Sequence, residues 1–306
     1  MNMYKYLANT VALFAAVSAV FSSSSASAKD AETKEGKPEV KLEFYRNSTF
    51  KLHYAGSTIL VDPMLSEKGA LPSFVGKENN PTVELPVSTD EVLKDIDAVL
   101  VTHLHPDHFD EKAAKLLNKE TPVFVQPNDG QYFREYRFRH ITEAVKPITW
   151  KGIVIKKTEA FNGTAETVKK LEDASGSSKG WHGGGYMISA DNHPKIYVIG
   201  DSIWTKEVRE TIETEQPDYI IANMGGAVVP FSNRDGKTEE LQLLMNEKNL
   251  KDILESAGSK AKVIVMHLES LEYCKTTREK LKGEAKEIGM SPEQLIIPGD
   301  GETLQL

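Results

Sequence analysis

Thr102-His103-Leu104-His105-Pro106-Asp107-His108-Phe109-Asp110 holds three imidazoles and two carboxylates in nine residues, directly after the apolar run Ala98 to Val101. In an extended segment residues i and i+2 share a face, so His103 and His105 can bind one ion together. Pro106 cannot continue a central strand but fits the start of a helix. Asp107 and His108 are therefore expected to turn back toward the same point from a helix N-terminus, where a second ion could sit. Imidazole combined with carboxylate suits Zn2+, with Mn2+ or Fe2+ also served, because nothing in the spacing enforces one metal. A surface loop with scattered histidines is the bland alternative, and the crowding of five ligand-type residues at one strand-to-helix turn argues against it.

Elements on either side must hold this turn in place. Val40 to Phe44, Thr49 to Tyr54 and Ser57 to Val61 are β-rich runs separated by Asn47 and by Ala55-Gly56, which predicts an antiparallel start to a sheet. Leu65 to Pro86 is a long Gly- and Pro-containing loop, a candidate lid that brings Leu71, Phe74 and Val75 over the site or is simply pinned to the core by them. Ser88 with Glu91 makes a capping-box start for a short helix to Ile96. After the motif, Ala113, Ala114, Leu116 and Leu117 are expected to face inward from a helix, and Pro122 to Gln126 reads as the next strand. Tyr132, Phe133, Arg134, Tyr136, Arg137, Phe138 and Arg139 interleave aromatic and basic residues, as single-strand nucleic-acid binders do. A helix with packed aromatics and solvated arginines is the preferred reading. Further β-rich runs end at Gly200-Asp201, at Asn223 and at His267.

The first 28 residues read as a signal peptide, with Lys5, the apolar run Val11 to Phe21 and an Ala26-Ser27-Ala28 cleavage site. That run falls short of the roughly 20 residues needed to span a bilayer, so a soluble periplasmic or secreted product is expected, without a stable membrane anchor. Residues 29 to 39 read as a disordered lead-in, and 40 to 306 as one large domain. The whole chain carries a net charge of −8, and loss of Lys5 makes it −9. An acidic export product is a poor nucleic-acid binder, because phosphates must be neutralised by clustered Lys and Arg. Cys274 is the single cysteine, so no intrachain disulfide forms.

His-x-His-x-Asp-His after an apolar strand resembles the signature of the metallo-β-lactamase superfamily. Tyr197 to Trp204, Asn223-Met224-Gly225-Gly226-Ala227 and Val265-Met266-His267-Leu268-Glu269 resemble, more narrowly, its lactonase-like metal-dependent hydrolase branch, related to ascorbate-6-phosphate lactonase. The resemblance implies an α+β fold, a four-layer αββα sandwich, with one or two metals at one rim. By this resemblance Asp201 lies between the two metals, His267 joins Asp107 and His108 at the second, and Asp62 lends outer support. Where the family has a histidine completing the first site this chain has Asn162; His182, in Gly180-Trp181-His182-Gly183-Gly184-Gly185, either supplies the imidazole or sits solvated in a flexible insertion. Cys274 is read as too far along the chain from His267 and Asp201 to serve as the cysteine ligand of true β-lactamases.

The function expected from the resemblance is hydrolysis of a small ester, lactone or phosphorylated metabolite by metal-activated hydroxide, with two zinc ions per chain and Asp107 orienting the water. The alternatives are an exported metal- or ligand-binding protein with an impaired first site, and, further off, a phosphodiesterase or nuclease. Substrate and oligomeric state are not legible in the residues that hold metals.

Overall fold

A computed structural model describes residues 39–73, 77–176, 183–233 and 235–306. The expected signal peptide and lead-in to residue 38, Phe74 and Val75 of the candidate lid, and His182 lie outside the described residues. Residues 36–306 form one compact unit.

The chain first lays down strands β1 (Lys41–Arg46), β2 (Thr49–Tyr54), β3 (Ser57–Val61), β4 (Ala98–Leu100), β5 (Val123–Val125) and β6 (Ile141–Glu143). Helices α1 (Thr89–Leu93), α2 (Glu111–Leu116) and α3 (Gly130–Glu135) fall between them. Strands β7 (Ile148–Trp150), β8 (Ile153–Glu159), β9 (Gly184–Ser189), β10 (Ile196–Val198) and β11 (Tyr219–Asn223) follow, with helices α4 (Ala165–Ser175) and α5 (Lys206–Glu215). A hairpin, β12 (Val228–Ser232) and β13 (Thr238–Gln242), precedes α6 (Leu250–Ala257), β14 (Lys262–Met266), α7 (Arg278–Glu287), β15 (Leu295–Ile296) and β16 (Thr303–Gln305).

Two seven-stranded sheets result, ordered β16-β1-β2-β3-β4-β5-β6 and β7-β8-β9-β10-β11-β14-β15. Both change from antiparallel to parallel pairing partway across, at β3/β4 in the first and β10/β11 in the second. The layering follows from alternation along the strands. Ile59, Val61, Ala98, Leu100 and Phe124 point inward, against Ile196, Val198, Ile221, Ile264 and Met266 of the facing sheet. Their neighbours Leu60, Val99, Val123 and Val125 point outward onto Val92, Phe109, Ala113, Ala114 and Phe133 of the first helical layer. Tyr197, Ile220, Ala222, Val263 and Val265 likewise meet Val208, Ile212, Ile253 and Leu281 of the second. This is the αββα sandwich expected from the sequence. Each fully buried branched side chain contributes roughly 1.5–3 kcal/mol, and a one-residue slip would turn all of them to the wrong side, so register at the rim is fixed.

One local expectation is corrected. Leu116 is 48% exposed, because α2 is short and only Ala113, Ala114 and Leu117 reach the sheet. Phe133 and Phe138 are buried as expected, while Arg134 and Arg139 pair with Glu143 and Glu120 at the surface. Asp110, the second carboxylate of the motif, accepts from Ala113 N and Ser66 N, so it caps α2 and fastens the start of the long loop.

Candidate metal centre

Every ligand-type residue of the site leaves one rim of the sandwich, where β3, β4, β10, β11 and β14 end. Asp62 follows β3, the His103–His108 turn follows β4, Asp201 follows β10, Asn223 ends β11 and His267 follows β14. Ligand sites of α/β proteins gather at such carboxyl ends, where the strand order or direction switches. Pro106 does start a turn. His108 N and Phe109 N both donate to His105 O, which folds Asp107 and His108 back toward His103.

Two groups of ligand atoms result. His103, His105 and Asp201 form subsite A, and Asp107, His108, Asp201 and His267 form subsite B, each with its atoms within 4.8 Å of one another. In A, His103 Nε2 is 3.0 Å from His105 Nδ1 and 3.8 Å from Asp201 Oδ2. In B, His108 Nε2 is 3.2 Å from Asp201 Oδ1 and 3.7 Å from Asp107 Oδ2; His267 Nε2 is 3.1 Å from Asp107 Oδ2 and 3.6 Å from Asp201 Oδ1. Donors about 2.0–2.2 Å from a tetrahedral zinc stand roughly 3.3–3.6 Å apart, so this spacing fits a divalent cation. His108 Nε2 is buried and has no hydrogen-bond partner among the described residues, as suits an atom kept for a metal. Asp201 belongs to both groups, with one oxygen turned to each.

The outer contacts fix which nitrogen faces inward. His108 Nδ1 lies 2.8 Å from Asp62 Oδ2, and Asp62 also accepts from Thr102 N and Oγ1. His103 Nδ1 meets Thr102 Oγ1 at 3.1 Å. Asn223 Nδ2 donates to Asp201 Oδ1 at 2.7 Å. Asn47, in the β1–β2 turn, donates from Nδ2 to Asp107 O and accepts from His267 N, tying together residues 160 positions apart. Asn47, Asp62 and His267 all adopt left-handed backbone angles, at φ 53°, 44° and 64°. Such strain, on the order of 1–2 kcal/mol for a residue with a Cβ, gathers at functional sites.

The two groups differ electrically. Burial works against the imidazolium of His108, but Asp201, Asp62 and Asp107 outweigh it and push its pKa up to about 10. His267 is likewise raised, against burial, by Asp201, Cys274 and Asp107. Burial would raise the carboxyls of Asp107 and Asp201, yet His108 and His267 hold both well below the usual carboxylate range. His103 and His105 are instead lowered, chiefly by burial.

Of the residues singled out in the sequence, His103, His105, Asp107, His108, Asp201 and His267 come together here. Asn162 is buried near the rim at 1% exposure. Cys274, read as no metal ligand, belongs to neither group: a bridge between Ala227 and Cys274 folds the segment back, and Sγ lies 3.6 Å from His267 Nδ1. It stands behind the histidine, away from the nitrogen that faces the ligand cluster. The glycines 183 to 185 allow close approach at the rim: a side chain on Gly183 would collide with Asp201 O and one on Gly185 with Ile199 O. Asn47 was not legible as a site residue, since a turn Asn gives no hint of partners 60 and more residues away.

Residues 57–230 match the family model described as the Beta-lactamase superfamily domain. UPF0173 protein YddR of Bacillus subtilis is 32% identical over 265 residues, covering 84% of this chain and 96% of that protein. Among solved structures, one described as "a possible metal-dependent hydrolase" from Veillonella parvula superposes with a TM-score of 0.79 at 27% identity, over 88% of this chain and all of that one. An isothiocyanate hydrolase from Delia radicum gut bacteria superposes with a TM-score of 0.76 at 30% identity, over 87% of this chain and 99% of that one. The chain belongs to the β-lactamase superfamily, as one of its metal-dependent hydrolases.

Proposed function

We propose that the protein is a two-metal hydrolase of small, uncharged electrophiles such as esters, lactones or isothiocyanates, exported from the cytoplasm. The observation that carries this is the sharing of Asp201 between subsites A and B, since a carboxylate with two oxygens can serve two cations at once. His103, His105 and Asp201 would hold one ion, and Asp107, His108, Asp201 and His267 the other, with zinc the best match to the donors. Bound there, divalent cations lower the pKa of water from 15.7 toward about 7 and polarise the oxygen of the bond under attack. Asp107, kept ionised by His108 and His267, takes the proton of the attacking water and returns it to the leaving group. The likeness to an isothiocyanate hydrolase supports an electrophilic carbon as the point of attack.

A binding protein with a single ion is the second reading, favoured by the amide of Asn162, where the resemblance implies an imidazole. One experiment separates the two. Protein loaded with Zn2+, Mn2+ or Fe2+ is analysed for ion content and offered p-nitrophenyl acetate, a γ-lactone, phenethyl isothiocyanate and bis(p-nitrophenyl) phosphate. Two ions per chain with turnover of an uncharged substrate is expected; one ion or none, with no turnover, leaves the binding reading. For export, N-terminal sequencing of the protein recovered from cells is expected to begin at Lys29, and a retained Met1 would remove that part of the proposal.

A further inference from the structure

The rim has a third station beyond the two subsites. In the first sheet, successive strands end at Asp62 (β3), at Thr102-His103 (β4) and at Gln126 (β5). In the facing sheet, His267 follows β14, Asp201 follows β10, and β9 begins at Gly184 beside it. Along the rim the order is therefore subsite B, subsite A, then Gln126 with Gly184.

Gln126 continues the inward-facing row of Phe124 and is 5% exposed. Neither Oε1 nor Nε2 has a hydrogen-bond partner among the described residues. The amide lies flat against Gly184, where any side chain would collide with its Cδ, Nε2 and Oε1. Gly184 O in turn packs on Gly200, the residue before Asp201, and Thr102, which holds His103, flanks the same glycine. A glutamine amide offers two N–H donors and an acceptor, and burying all of them unpaired forfeits their hydration with nothing in return. The inward-facing row it continues is otherwise apolar, with Phe124 two residues before it.

We propose that Gln126 is a substrate-binding residue, whose carboxamide hydrogen-bonds the polar end of the molecule held at subsite A. The substrate then carries a hydrogen-bonding heteroatom, of carbonyl, thiocarbonyl or amide type, on the side of the reacting carbon away from subsite B. The hydrolase reading supplies only the identity of the bound molecule; the unpaired amide at the rim stands without it.

The test compares the metal-loaded wild-type protein with Gln126→Met, which keeps length and volume and removes both hydrogen-bonding atoms. With whichever panel substrate the wild type hydrolyses, KM is expected to rise about five- to tenfold while kcat stays within about twofold, the loss of one ground-state hydrogen bond. Ion content stays the same, and Tm is unchanged or higher, because an unpaired buried amide has been removed. A lower Tm in both Gln126→Met and Gln126→Leu shows an amide satisfied within the fold, and an unchanged KM shows one that meets no substrate; either overturns the proposal. If the wild type hydrolyses nothing on the panel, the hydrolase reading fails separately. A crystal structure of the metal-loaded protein soaked in phenethyl isothiocyanate or acetate then decides. A ligand atom within hydrogen-bond distance of the Gln126 amide supports the assignment, and an amide closed on protein partners overturns it.

Discussion

Subsites A and B share Asp201 yet are built differently. All four ligand residues of B are buried, and His108, Asp107, Asp201 and His267 are each held from outside by Asp62, Asn47 or Asn223. In A, His105 is partly exposed, Thr102 stands behind His103, and Asn223 holds the Asp201 that A shares with B. Outer contacts orient ligands before the ion arrives, so B should bind more tightly and fill first, and A should be the exchangeable position open to substrate. The lesson is that a symmetrical motif, three histidines and an aspartate in six residues, need not produce two equal sites. What separates them comes from distant strands.

The largest expected effect comes from removing what the subsites share. Asp201→Ala should lose ions from both, lowering hydrolysis by on the order of a thousandfold or more, whereas His105→Ala should leave about one ion per chain. If Asp201→Ala retained two ions by elemental analysis, the shared-carboxylate arrangement would be wrong. Next comes the response to pH. In the metal-free protein His108 and His267 keep their protons above neutral pH, His108 up to about pH 10, while His103 and His105 have lost theirs. An ion entering B must displace those protons, so its apparent affinity should climb by about tenfold per pH unit for each proton displaced, while that of A stays nearly flat from pH 7 to 9. The sign for stability is opposite: the raised pKa of His108 stabilises the metal-free fold fully below about 6.5, and this is lost as pH rises through about 10. Competition titrations with a chromophoric chelator at several pH values measure both sites, and a steeper slope for A would reverse the comparison.

The Asp62→Asn substitution acts directly on B and reaches A only through the Thr102 hydroxyl that joins Asp62 to His103. It leaves the shape but weakens the acceptor behind His108 Nδ1, and losses of such partners typically cost 10–100-fold in metal affinity. Thr102→Val, the corresponding change behind His103 in A, is a poorer control, because the same hydroxyl also donates to Asp62. The contrast therefore rests on whether Asp62→Asn lowers the first binding constant and spares the second. Equal loss at both would mean that Asp62 supports the rim as a whole.

Much of this was legible from residue types. Runs of β-formers between turn residues gave β2 and β3 their observed bounds and β1 nearly so, and the metal motif placed three histidines and Asp107 at a strand end without any coordinates. Asp201 and His267 were reachable only through resemblance, because a Gly-Asp or Met-His after a strand has many uses. Asn47, Asn223 and Gln126 were hidden for a different reason. Their importance lies in partners contributed by strands far off in the chain, and a turn asparagine or strand-ending amide looks the same whether it meets water or Asp107. Cys274 was read as no metal ligand and joins neither subsite, but its place behind His267, set by the bridge from Ala227, has no local signature.

The smallest expected effect separates backbone strain from ligand support at Asn47. Its amide reaches Asp107 O, its carbonyl receives His267 N, and its φ of 53° suits glycine. Asn47→Gly removes the amide alone, and one neutral hydrogen bond of about 1 kcal/mol predicts roughly a fivefold weaker ion at B. Asn47→Ala removes the same amide but keeps a Cβ in the left-handed region, which costs about 1–2 kcal/mol of stability relative to the glycine variant. The two variants should therefore bind metal equally weakly while the alanine variant melts several degrees below the glycine one. If affinity instead followed Tm, Asn47 would act through the fold, and the superior order of subsite B would owe nothing to the turn that joins Asp107 to His267.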